Sequence, residues 1–123
     1  NLYRKEIEAF KEMLGQRVEE LKEELVSLLG EDFELTLAAR SDGNSRKYYW
    51  RFKSSKRDRK YNRLHADSIV EYLRVFDDER KLRLKETEEE LIYINANLKL
   101  IKGMLDSIDQ SVDEKAELRS AII

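Results

Sequence analysis

The 123-residue sequence predicts a mainly α protein, with long amphipathic helices forming a coiled coil and one β-hairpin between helix 1 and helix 2. Apolar residues recur every three or four positions near the start. They alternate strictly around an Asp-Gly pair further on, and they form an uninterrupted heptad seam towards the end. Charged residues make up 41% of the chain, far above the roughly 25% of ordinary globular domains. The apolar fraction is also 41% and proline is absent, so a core can form and nothing obliges a long helix to stop.

Residues 1–30 are expected to form an N-terminal helix, running from about Tyr3 to Leu29. Its apolar stripe is Ile7, Phe10, Leu14, Val18, Leu21, Leu25 and Leu28, with charges such as Glu8, Lys11, Glu19 and Lys22 on the outer face. Gly30 suits a left-handed terminator.

Residues 31–65 read as a basic, aromatic hairpin module. Phe33, Leu35, Leu37 and Ala39 alternate with Glu34, Thr36 and Ala38; Tyr48, Trp50 and Phe52 alternate with Lys47, Tyr49, Arg51 and Lys53. With Asp42-Gly43 as a two-residue turn, Leu37 faces Tyr48, Leu35 faces Trp50 and Phe33 faces Phe52. The same register sets Thr36 against Tyr49 and Glu34 against Arg51 on the other face. The stretch from Arg57 to Arg63 leaves room for a third short strand.

Residues 66–123 are expected to be a long C-terminal helix starting near Ala66 or Asp67 and running to about Gln110. Its apolar face thins between Asp77 and Glu90. Leu91, Ile94, Leu98, Ile101, Leu105, Ile108 and Val112 then keep a steady 3-4 rhythm. Ser111 with Glu114 resembles a capping box that would open a short final helix over 112–122. The first helix would be roughly 40 Å long and the second roughly 67 Å, so a continuous second helix outruns the first near residue 93. The seam Leu91–Val112 is therefore expected to be a dimer interface between two copies. A break within Asp77–Glu90, folding the distal half back as a three-helix bundle, is the alternative.

Charge is strongly segregated. Residues 40–65 carry ten basic and two acidic side chains, whereas the segments on either side each have a net charge of −5. The basic set is Arg40, Arg46, Lys47, Arg51, Lys53, Lys56, Arg57, Arg59, Lys60 and Arg63, interleaved with Tyr48, Tyr49, Trp50, Phe52 and Tyr61. Cations attract phosphates and aromatic rings can stack on bases, so nucleic acid is the expected partner, contacted through Arg46, Lys47, Tyr49, Arg51, Lys53, Lys56, Arg57, Arg59, Lys60 and Arg63. An acidic protein is the other polyanion this patch suits. Against both stands the expectation that Tyr48, Trp50 and Phe52 are core, with the cations balancing acidic helices.

Other chemistry has few candidates. Cysteine is absent and His65 is the sole histidine, beside a helix start where capping or solvent exposure is commoner than base catalysis. No phosphate loop or nucleophile elbow occurs. The carboxylates Asp77, Asp78, Glu79 and Glu86–Glu90 lack a Glu-x-x-His pattern and read as a solvated face. A non-enzymatic protein without cofactor, metal or small-molecule substrate is expected. No apolar run approaches a membrane span and no signal-peptide pattern opens the chain, so a cytoplasmic setting is expected. The first residue, Asn1, suggests a trimmed or processed product.

From Tyr3 to about Gln110 the order helix, β-hairpin, helix resembles the subunit layout of prefoldin in topology, without a shared sequence motif. That resemblance implies an assembly or chaperone-like scaffold with a protein partner. The sequence departs from it in its strongly basic hairpin and unequal helices.

Overall fold

The structure, a computed structural model, describes residues 2–43, 45–54 and 59–122. Among these residues the elements are α1 (Leu2–Leu29), β1 (Leu35–Asp42), β2 (Ser45–Phe52), α2 (Asp67–Leu73) and α3 (Asp78–Ala121). The chain is thus mainly helical, with an antiparallel hairpin between α1 and α2.

Helix α1 buries Val18, Leu21 and Leu25, the middle of its predicted stripe, while Phe10 and Leu28 stay exposed. Gly30 adopts φ 85° and donates its N–H to the Val26 carbonyl at 2.8 Å, closing the helix as expected. The chain then turns into β1, where the period changes to two.

The hairpin forms, but two residues out of the expected register. Asp42 pairs with Ser45, so Leu35 opposes Phe52, Leu37 opposes Trp50 and Ala39 opposes Tyr48. Arg51 faces Thr36 rather than Glu34, and Tyr49 faces Ala38 rather than Thr36. A shift of two keeps every side chain on its predicted face. Leu35, Leu37, Trp50 and Phe52 are accordingly almost wholly buried, and Phe33 and Tyr48 join them. One backbone bridge stands where a third strand was expected: Trp50 and Asn62 exchange N–H to carbonyl bonds of 2.8 and 2.9 Å.

The second helix is not continuous from Ala66. Helix α2 ends at Leu73, and α3 starts afresh after Asp77, whose carboxylate accepts from the Arg80 N–H at 2.8 Å. Asp78 and Glu79 in the first turn complement the helix dipole. Tyr72 and Phe76 pack with Phe33 and Phe52 in an edge-to-face aromatic cluster that ties this corner to the hairpin. From Asp78 onward α3 is a single helix. Ser111 donates its hydroxyl to the Ile108 carbonyl within it, so no separate helix opens at 112.

The break reverses the chain beside α1. Arg17 grips Glu90 with two nitrogens, Nη2 to Oε2 at 3.0 Å, and Arg4 meets Asp109 further along, so the two helices run antiparallel. The expectation that Leu91–Val112 lacks a neighbour in its own chain is therefore corrected. Leu91, Ile94, Leu98 and Ile101 are 0–5% exposed, and a dimer formed through them would have to unpack the core. Leu105 and Ile108 are half-buried, while Val112 and the rest of α3 extend past α1 with every side chain exposed.

Candidate functional site

The hairpin packs its inner face on α1 and α3 and turns its outer face outward. Because side chains alternate, Lys47, Tyr49 and Arg51 share that outer face with Arg40, Ala38 and Thr36 of β1. Arg40 and Lys47 stand directly opposite one another, a like-charge pairing that costs stability unless an anion lies near. The bridge at Asn62 sets its sequence neighbours Tyr61 and Arg63 beside this face. The Tyr61 ring meets Tyr49 at 6.2 Å, with the Arg51 guanidinium 4.8 Å and that of Arg40 5.9 Å from its centroid. Arg63 lies 5.6 Å from the Tyr49 ring. Guanidiniums and phenol rings therefore form one interleaved array.

Several of these cations also hold the fold. Arg51 Nε donates to the Arg59 carbonyl at 2.7 Å, and Arg59 Nη1 donates to the Lys53 carbonyl at 3.0 Å. Arg63 donates to Glu88 of α3 at 2.7 Å, and the other Glu88 oxygen accepts the Leu64 N–H. Glu88 is only 7% exposed, so this charge is both paired and hydrogen-bonded, as burial demands. Asn95, also buried, accepts from Tyr48 N at 2.8 Å and donates to Tyr48 O at 2.9 Å. Asn95 and Asn62 together satisfy the outward edge of β2 at Tyr48 and Trp50, which closes that edge to further pairing.

Between this edge and α3 lies a groove of about 370 Å³ lined by Lys47, Tyr49, Arg63, Ile92, Asn95, Ala96 and Lys99. Its charged lining is cationic throughout. Lys47 and Lys99 make no ion pair among the described residues. Their ammonium groups, with the remaining N–H groups of Arg63, are suited to the oxygens of an anion. Lys99 was not among the residues the sequence singled out, because it lies on α3, far along the chain from the basic segment.

Of the expected contact residues, Lys47, Tyr49, Arg51 and Arg63 come together on the outer face, with Lys53 and Arg59 beside them. Lys60 is exposed on the same segment. Arg46 has the opposite parity; it lines a different cleft with Glu8, Lys11 and Glu12 of α1. Lys56 and Arg57 lie outside the described residues. Arg17 is held above its ordinary pKa, first by its hydrogen bond with Glu90, and stays charged at every relevant pH.

His65 is exposed and lines an apolar cleft between α2 and α3 with Leu64, Val70 and Leu73. Among the described residues no three metal-ligating side chains cluster, and no helix is long and apolar enough to cross a membrane. The sequence matches no protein family, and neither the curated proteins nor the solved structures offer a similar chain.

Proposed function

We propose that this chain is a non-enzymatic, cytoplasmic nucleic-acid-binding protein that takes the phosphate backbone across the outer hairpin face and the adjoining groove. The observation that carries this reading is the convergence of Lys47, Arg63 and Lys99, from three separate parts of the chain, on one groove lined by no carboxylate. The like-charge pair Arg40–Lys47 adds to the same field. The tyrosine rings lie against guanidiniums, which favours phosphate contact over base stacking and makes binding largely indifferent to sequence.

Fluorescence anisotropy with a labelled duplex and its single strand, over a salt series, tests the proposal. Duplex should bind at least as well as the single strand, and three to four phosphate contacts give a slope of log K on log salt of roughly −3 to −4. Lys47→Glu with Lys99→Glu should weaken binding at least tenfold and flatten that slope. Absence of binding at low salt, or affinity unchanged in the double variant, refutes the reading. Binding to acidic polypeptide but not to nucleic acid would also refute it.

A further inference from the structure

The side of α3 opposite its buried stripe is itself patterned, and at Leu100 and Met104 it borders Tyr3 and Ile7 of α1 across an open cleft. At about 100° per residue, Leu82, Tyr93, Leu100, Met104 and Leu118 fall close to one line along the helix, opposite the buried stripe of Leu84, Leu91 and Leu98. They are 54%, 68%, 62%, 41% and 59% exposed, respectively. Isolated apolar side chains on a surface are ordinary, but Tyr93, Leu100 and Met104 gather at the middle of this line and Leu82 and Leu118 mark its ends, with Glu86, Glu89, Ser107 and Ser111 between them.

We propose that this face of α3 takes the same face of a second copy of the chain, antiparallel about a two-fold axis at Leu100. The spacing carries the assignment. Leu82 precedes Leu100 by as many residues as Leu118 follows it, so a two-fold there sets the leucines against one another. The same operation brings Ala96 to Met104 and Tyr93 to Ser107, small residues against large ones along the seam.

The flanking charges agree. Glu86 of one copy comes beside Lys115 of the other, and Lys85 beside Glu114, each pair occurring twice by symmetry. Lys85, Glu86 and Lys115 hold no ion pair among the described residues. A parallel pair would instead set Glu89 against Glu89 in the seam and Ala96 against Ala96. An overlap from Leu82 to Leu118 is roughly 55 Å long, and a specific pairing along it needs about 1,200 Å² or more of total buried surface. The hairpin's outer face takes no part in this seam; Ala96 borders both the seam and the groove at Lys47, so the two surfaces adjoin, and the proposal does not depend on the nucleic-acid reading.

Light scattering on the size-fractionated full chain should give a dimer at about 100 μM, a concentration at which interfaces of this size are commonly populated. Leu100→Glu should weaken association at least tenfold, and its far-UV circular dichroism should be unchanged because Leu100 is already exposed. The sequence has no cysteine, so Leu100→Cys should cross-link to itself on mild oxidation. Ala96→Cys should cross-link to Met104→Cys when the two variants are mixed, and poorly to itself. A wild-type chain that stays monomeric at that concentration overturns the proposal. So does a Leu100→Glu variant that dimerises normally, or Ala96→Cys that couples to itself as readily as Leu100→Cys.

Discussion

Replacing Asn95 by alanine should loosen the hairpin from α3. The Asn95 amide is 8% exposed and meets both the N–H and the carbonyl of Tyr48, at 2.8 and 2.9 Å. Alanine leaves one backbone donor and one acceptor without a partner, each costing about 1–3 kcal/mol when buried. Asn95 also lines the groove beside Lys47, so water can enter the space the amide leaves and recover part of that cost. The expected loss is therefore near the lower bound, about 2–3 kcal/mol, read as a lower urea midpoint at unchanged m. Asn95→Asp keeps an acceptor for the Tyr48 N–H but sets a carboxylate oxygen against the Tyr48 carbonyl, so it should cost more than alanine. Hydrogen exchange at the Tyr48 amide should accelerate in both variants. A loss below about 0.5 kcal/mol for alanine, or an aspartate variant as stable as the parent, would refute the assignment of Asn95 as the clamp.

Two further substitutions probe other supports. Glu88→Gln should destabilise by about 2–3 kcal/mol in urea denaturation, because an amide cannot accept from both Arg63 and the Leu64 N–H, and one donor is left facing an N–H₂ group. Gly30→Ala should cost about 1 kcal/mol by the same measurement. A Cβ there meets nothing within 4 Å, so the whole effect comes from the φ of 85°.

The hairpin was legible because its alternation survives any even shift. Asp42-Gly43 and Gly43-Asn44 are both plausible two-residue turns, and either leaves Trp50 and Leu37 facing inward, so side-chain parity could not choose between them. The corner at Arg74–Asp77 was less legible. Asp77 followed by Asp78 and Glu79 is a helix-start signature, but it sits inside a charged stretch that also reads as the solvated face of a continuous helix. Every later expectation about the seam followed from that one junction: with a straight helix Leu98 has no neighbour, and with a reversal it meets α1 and the hairpin. The outer basic face emerged from period-two arithmetic on Lys47, Tyr49 and Arg51. Lys99 and Glu88 did not, because their nearness to the hairpin depends on that reversal.

The antiparallel pairing of α1 with α3 bears on how the protein emerges from a ribosome. The apolar stripe of Val18, Leu21 and Leu25 is made early, whereas Leu91, Ile94 and Leu98, which share its core, come more than sixty residues later. At roughly 5–20 residues per second that interval lasts several seconds, during which the first helix has only the hairpin to lean on. The strand that packs on α1 is β1, so its inward Leu35 and Leu37 are the apolar surface made next after that helix.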